Sequence, residues 1–154
     1  MKLADFKGRI VVLEWVNPGS KACARVCSGV VAKMVKDLKG IKDDVAVVAV
    51  SSNDGVDGKA LAKYLADNKV EATGLVDADG KTGKAYGAKT TPTCCVIDGE
   101  GVLRYAGAID DDADGKKAEK AVNYVVVAVK AIAGGEKVVV ETAKAYGDEI
   151  PYKK

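Results

Sequence analysis

Cysteine offers the strongest covalent chemistry in this sequence, and four cysteines occur, Cys23, Cys27, Cys94 and Cys95. They do not form a zinc-binding pattern, because such a site usually combines two C-x₂₋₄-C units, or one unit with histidine, and the chain has no histidine. A disulfide framework is not expected either, since a chain of 154 residues can bury a sufficient core. The four thiols are therefore either redox groups or small apolar core residues.

The segment Asn17-Pro18-Gly19-Ser20 is a second chemical position, because it joins an apolar run to a helical pattern. Asn17 as N-cap and Pro18 as the first helical residue predict that Ser20 lies in the first turn. Free N–H groups and the helix dipole stabilise an anionic side chain there. A serine hydroxyl without a base is too weak an acid to exploit this, so the residues alone favour Ser20 as a simple helix-start residue.

Glu14 interrupts the apolar run IVVLEWV at residues 10–16. Burying a carboxylate is costly, so an acid inside such a run needs a reason. Two interpretations remain open from the residues: Glu14 serves a reaction, or it faces outward near the end of the strand.

The elements that position these residues follow a regular order. Apolar runs at 10–16 and 45–50 are typical of buried parallel strands. Between them, apolar residues from Cys23 to Leu38 recur at helical spacing and stop before Gly40, which predicts one helix and a right-handed βαβ unit. A shorter helix is predicted over 58–67, with Leu61 and Leu65 inward.

The second half adds a hairpin and a final helix. A turn at 77–80 precedes a short helical piece, and strands at 94–98 and 102–106 flank the turn at 98–101. The final helix is predicted from an apolar stripe that runs from Ala118 to Ile132, with Asp114 as its cap. The acidic loop 110–115 resembles the start of an EF-hand, but residue 121 is alanine where the motif needs glutamate, so a solvated turn is expected.

Composition excludes several functions. The net charge of +2 and the mixed charges give no reason to expect nucleic-acid or membrane binding. No signal peptide is recognisable, so a cytoplasmic location or a processed exported form is expected. The chain also contains neither histidine nor glutamine, which is unusual. Three explanations remain open: a designed or simplified sequence, an extreme natural bias, and residue identities assigned from imperfect data.

Several motifs together resemble the thioredoxin-like redoxin family, the superfamily of alkyl hydroperoxide reductase and thiol-specific antioxidant proteins. The resemblance extends over residues 5–150 and implies a single 1–154 domain that lacks the family's N-terminal hairpin. It implies an α/β thioredoxin fold, with a central mixed sheet flanked by helices and an insertion between the second and third core strands. The matching segments are DFKGR at 5–9, EWVNPG at 14–19, DADGKTGKAYGAKTTP at 77–92, VID at 96–98 and RYAG at 104–107.

The resemblance also implies a reaction centre. Family members carry a nucleophilic cysteine at the position of Ser20, and Cys23 then completes a C-x-x-C frame as a resolving thiol. Glu14 corresponds to a buried acid that accepts and returns a proton. Two further features come from the resemblance: a cis-Pro loop at Thr91-Pro92, which with Asn17 and Pro18 would contact the substrate, and a second resolving position at Asp148, where some relatives have cysteine.

The implied function is a thiol-disulfide oxidoreductase or thiol-dependent peroxidase, active where residue 20 is cysteine and inactive with Ser20. Its expected partners are protein or small-molecule disulfides or peroxides, without a cofactor or metal. The peroxiredoxin signature P-x-x-x-T-x-x-C is absent, which favours disulfide exchange or an uncharacterised redoxin role. The alternatives are a non-catalytic thioredoxin-like binding or scaffold domain, and a designed or approximated chain without a selected function. The sequence does not indicate an oligomeric state.

Overall fold

The apolar runs predicted as strands form the centre of a six-stranded mixed sheet. The computed structural model describes the backbone of all 154 residues and every side chain except those of Ala22, Arg25, Cys27 and Ser28. The strand order is β3-β2-β1-β5-β6-β7, and a separate pair is formed by β4 and β8. The strands are β1 (Val11–Trp15), β2 (Ala46–Ser51), β3 (Thr73–Val76), β4 (Thr90–Thr91), β5 (Thr93–Ile97), β6 (Leu103–Gly107), β7 (Thr142–Ala143) and β8 (Asp148–Glu149).

Parallel and antiparallel pairs meet at β1, the central strand that carries Glu14. It pairs in parallel with β2 and antiparallel with β5. The predicted α/β fold with a mixed sheet is confirmed, and the implied insertion lies between β2 and β5, where β3 extends the sheet in parallel. The helices are α1 (Lys21–Val26), α2 (Ala32–Ile41), α3 (Gly58–Asp67), α4 (Lys81–Ala85) and α5 (Tyr124–Ala133).

The first helical region differs from the prediction of one continuous helix. A π-helical turn at Cys27–Val31 separates α1 from α2, and Gly29 within it has an extended φ of 175°. A π turn adds a residue to the helical repeat, so the apolar stripe shifts in phase. Val31 is consequently buried, whereas Val30 is exposed. Gly40 does not end the helix, because α2 continues to Ile41.

The final helix begins later than predicted, and Asp114 does not cap it. Asn123 is the N-cap of α5, with its side chain accepting a hydrogen bond from the Val126 N–H. The preceding residues form a short 3₁₀ helix at Ala118–Lys120, in which Ala118 has a φ of +49°. The inward residues of α5 are Val125, Ala128 and Val129.

The acidic loop is held by its own hydrogen bonds, as expected for a solvated turn. Asp112 accepts backbone N–H bonds from Lys116, Lys117 and Ala118. Among the side chains that the structure describes, no group of histidine, cysteine, aspartate or glutamate residues is arranged to hold a metal ion. No helix of the described chain has the length and apolar character that a bilayer crossing needs.

Both faces of the sheet are buried, and a polar network ties one face to the insertion. Trp15 Nε1 donates to Ser52 Oγ over 3.1 Å, and Ser52 Oγ donates to Asp77 Oδ2 over 2.6 Å. The Asp77 carboxylate also accepts the backbone N–H groups of Thr82 and Gly83. Burial raises the pKa of Asp77, but these donors outweigh burial and lower it overall. The network therefore fixes the start of α4 against the end of β2.

Candidate functional site

Ser20 is the N-cap of α1, and this corrects the prediction that Asn17 caps the helix and Pro18 begins it. The helix begins at Lys21, and Ser20 Oγ accepts the Cys23 backbone N–H over 2.9 Å. Asn17 instead closes the preceding turn, where its Oδ1 accepts the Gly19 N–H. Ser20 is a good N-cap because its hydroxyl satisfies an otherwise free helix donor. A side chain at residue 20 is thus in direct contact with the helix N-terminus.

Asp148 contacts Ser20 from the far end of the sequence. The Ser20 hydroxyl donates to Asp148 Oδ2 over 2.6 Å, and only 4% of Ser20 is exposed. Asp148 reaches this position because β8 pairs antiparallel with β4, with Asp148 opposite Thr91. The structure therefore brings together the two positions at which the resemblance implies sulfur.

Cys23 lies directly behind Ser20 and is fully buried. Its Sγ accepts the Asn17 N–H over 3.5 Å and lies 3.0 Å from the hydroxyl of Tyr64. Tyr64 was not predicted as a site residue, although its position in α3, three residues after Leu61 and one before Leu65, places it on the inward stripe. Cys27, the other cysteine of this helical region, lies outside the described side chains.

Glu14 is buried completely, so the outward-facing interpretation is wrong. Neither of its carboxyl oxygens has a hydrogen-bond partner among the groups that the structure describes. Its register partner on β5 is Cys94. Burial raises the pKa of Glu14 well above its ordinary value, and the nearby Cys23 thiol raises it further. Glu14 therefore keeps its proton to a higher pH than an exposed glutamate does.

The Thr91-Pro92 loop lies on the same side of the molecule as Ser20. The peptide bond between the two residues is cis, and Thr91 is buried. Gly147 packs against this loop so closely that a Cβ on it would lie 2.1 Å from the Thr91 carbonyl oxygen. Because Gly147 is followed by Asp148, one short segment connects the loop to Ser20. Asn17 and Pro18 border the same place through the turn that precedes α1.

Cys94 and Cys95 are buried on opposite faces of β5, as the sequence predicts for adjacent strand residues. Burial raises the pKa of the Cys94 thiol well above its ordinary value and that of Cys95 to about 12. Because the thiolate is the reactive species, neither thiol is suited to exchange at neutral pH. They are core residues.

Comparisons with known proteins agree with this architecture. A hypothetical protein from Sinorhizobium meliloti is 24% identical, with a TM-score of 0.86 over 99% of this chain and 85% of that one. An uncharacterized conserved protein from Geobacillus kaustophilus is 22% identical, with a TM-score of 0.83 over 99% and 82%. These two likenesses show the fold. A search of curated protein sequences found no significant match.

Two further findings concern the family. A putative thiol:disulfide interchange protein DsbE from Chlorobium tepidum is 30% identical, with a TM-score of 0.57 over 69% of this chain and 72% of that one. The model of the AhpC/TSA family matches residues 1–106, which include β1, the start of α1 and the cis-Pro loop. The chain therefore belongs to the AhpC/TSA family of thioredoxin-like redoxins.

Proposed function

We propose that the start of α1 is a thiol-disulfide exchange centre, with residue 20 as the position of the attacking group. The observation that carries the proposal is the environment of Ser20 Oγ, which accepts the Cys23 N–H over 2.9 Å and lies 2.6 Å from Asp148. A sulfur at residue 20 would receive the same helix N–H, which stabilises a thiolate. The family and the DsbE-like neighbour support exchange of thiols and disulfides as the general role.

The surrounding groups suit that reaction. A thiolate at residue 20 would attack one sulfur of a substrate disulfide and displace the other sulfur as a thiolate, which forms a mixed disulfide. A second thiol, from Cys23 or from the solvent, would then attack this bond, form a new disulfide with residue 20 and release the reduced substrate. Glu14, which is buried and whose pKa is raised by that burial, would supply the proton that the leaving thiolate takes up.

Ser20 prevents the first of these steps. Its hydroxyl is a far weaker acid than a thiol, and no histidine exists in the chain to act as its base. The hydroxyl instead donates a hydrogen bond to Asp148 and accepts one from the Cys23 N–H, so its hydrogen bonds are structural. The chain with Ser20 is thus expected to retain the architecture of the centre without turnover.

The test is to install the missing sulfur. We expect Ser20→Cys to reduce insulin disulfides in the presence of dithiothreitol at a rate well above the uncatalysed reaction. The parent and Ser20→Ala should both remain at background, since neither has a nucleophile at residue 20. Hydrogen peroxide as an alternative substrate separates disulfide reductase from peroxidase activity. A folded Ser20→Cys variant that accelerates neither reaction would refute the proposal.

A non-catalytic binding domain is the second candidate, and one observation favours it. The Ser20 hydroxyl is fully engaged between Cys23 and Asp148, which makes the site complete as a structural unit. This candidate predicts partner binding that is unchanged by Ser20→Ala. It is distinguished from the first candidate by the Ser20→Cys variant, which would gain no activity if the domain only binds.

A further inference from the structure

The edge of β4, the strand that leads into the cis-Pro bond, is paired with a later segment of the same chain. Residues 147–152, which we name the C-terminal strap, run along β4 and turn toward α4. The strap pairs Asp148 with Thr91 and Glu149 with Thr90, and the Ile150 N–H continues the ladder to the Lys89 carbonyl over 2.9 Å. A strand edge of this kind is where an extended polypeptide adds by backbone hydrogen bonding.

The strap fits this edge at three side-chain positions. Gly147 lies where any Cβ would collide with the Thr91 carbonyl, so only glycine fits without adjustment. Asp148 accepts the Ser20 hydroxyl, as described above. Ile150 is only 5% exposed and packs in the apolar cluster below the sheet. The three positions define a pattern of glycine, a carboxylate and, two residues later, an aliphatic side chain.

The remaining contacts of the strap come chiefly from Tyr152, whose ring packs closely against Gly80 and Gly83. Tyr152 donates its hydroxyl to the Ala88 carbonyl over 2.6 Å, and the Asp54 N–H donates to Pro151. The paired residues Asp148 and Glu149 are themselves exposed, and β4 and β8 are only two residues long. So short a ladder is weak by itself, so the strap is held by the side chains of Ile150 and Tyr152 and by its covalent tether to the domain.

We propose that the C-terminal strap is a displaceable occupant of a polypeptide-binding edge, and that an extended protein segment with the pattern Gly-[Asp/Glu]-x-[Ile/Val] binds there by replacing it. The partner class follows from the pairing and from the three positions that the strap fills. The inference deepens the proposed function, because it assigns a protein segment as the partner of the centre at residue 20. Binding itself requires no thiol chemistry.

Tethering sets the strength of the competition. A covalently linked strand competes at an effective concentration of about millimolar, so a free segment of equal affinity binds poorly while the strap is closed. Weakening the strap alone should therefore raise the apparent affinity for a free segment that retains the original residues. Holding the strap closed should have the opposite effect.

The experiment uses the chain's own segment as the probe, a fluorescein-labelled peptide of residues 145–152, AYGDEIPY. Fluorescence anisotropy measures its binding to the full-length parent, to Ile150→Asp and to the matched control Val139→Asp. Val139 is 91% exposed, so the same apolar-to-acid change there leaves the strap intact. We expect Ile150→Asp to bind the peptide at least about tenfold more tightly than the parent or the control.

A second variant keeps the test decisive if Ile150→Asp disturbs the fold. Thr90 and Glu149 are directly opposite, so the double substitution Thr90→Cys and Glu149→Cys has the geometry for a cross-strand disulfide. The oxidised form should bind the peptide at least about tenfold more weakly than the same protein reduced. A peptide with alanine at the glycine position should bind weakly to every variant.

Two outcomes would overturn the inference. One is equal peptide affinity in the oxidised and reduced double variant; the other is no measurable binding to either the reduced double variant or Ile150→Asp. All of these measurements are made with Ser20 in place. Their failure therefore leaves the Ser20→Cys activity test untouched, and a failure of that test leaves the binding result standing.

Discussion

The buried carboxyl of Glu14 makes the stability of this protein depend on pH in a defined direction. Its folded-state pKa is raised by burial, whereas the unfolded chain has the ordinary value of about 4.5. Between those two pKa values the native state binds one more proton than the unfolded state. The free energy of unfolding is therefore unaffected by this group below pH 4.5 and falls as pH rises toward the folded-state pKa.

The magnitude follows from one proton. Within the window, the loss approaches about 1.4 kcal/mol per pH unit, which amounts to up to about 2.8 kcal/mol between pH 5 and pH 7. Glu14→Gln removes the titration but keeps the shape of the neutral acid. Its buried amide has its own desolvation cost, so the comparison uses the slope against pH and not the absolute stability.

Urea unfolding at a series of pH values, in the presence of a reductant, measures this slope. The range from pH 5 to pH 7 lies below the ordinary thiol pKa of 9.0, so thiol titration contributes little. The parent should lose stability across the series relative to Glu14→Gln. Glu119→Gln, at an exposed position, should follow the parent. Parallel profiles for the parent and Glu14→Gln would refute the assignment of a buried, neutral carboxyl.

Two further predictions concern the scaffold. Gly107→Ala should destabilise the protein by about 3 kcal/mol in urea unfolding, because its Cβ would lie 2.0 Å from the Ala143 carbonyl oxygen. Gly40→Ala should instead stabilise the protein by about 0.5–1 kcal/mol, because Gly40 lies within α2 and its Cβ would enter open space. An equal effect of the two changes would contradict the packing. Asn123→Ala should lower the free energy of unfolding by about 1 kcal/mol because it removes the α5 cap, whereas Asp114→Ala should lower it by less than about 0.5 kcal/mol. The reverse order would indicate that Asp114, and not Asn123, caps the final helix.

The central elements could be predicted because each has a strong local pattern. The apolar runs of β1 and β2 and the stripe of α3 determine their own conformation and burial. The end strand β3 was missed because TGLV is short, contains glycine and is half exposed. Its strand conformation comes from pairing with β2, which is a tertiary effect that no local pattern encodes.

The predicted helix boundaries were wrong for a related reason. Apolar spacing continues smoothly through residues 118–132, but the chain leaves the helical path at Ala118, and the Asn123 side chain starts a new helix. Likewise, apolar spacing alone does not reveal that the first helix contains a π turn, because the pattern on either side is compatible with a regular helix. Helix boundaries depend on capping contacts and backbone angles, and alternative boundaries differ little in energy.

The site was predictable in its parts but not in its assembly. The positions of Glu14, Ser20 and Thr91-Pro92 follow from the motifs, whereas Tyr64 requires knowledge of how α3 packs on α1. The strand at Asp148–Glu149 has no strand-forming residues, and only its pairing with β4 makes it one. Residue 148 could be singled out through the family resemblance alone.

The hydrogen bond between Ser20 and Asp148 joins residues that are 128 positions apart in the sequence. During translation the N-terminal residues emerge first, so the sheet centre and α1 leave the ribosome long before the segment that covers them. A nascent chain that has reached β7 thus already has an uncovered cis-Pro edge. Asp148 can therefore cover residue 20 only after the segment that forms β8 has been synthesised.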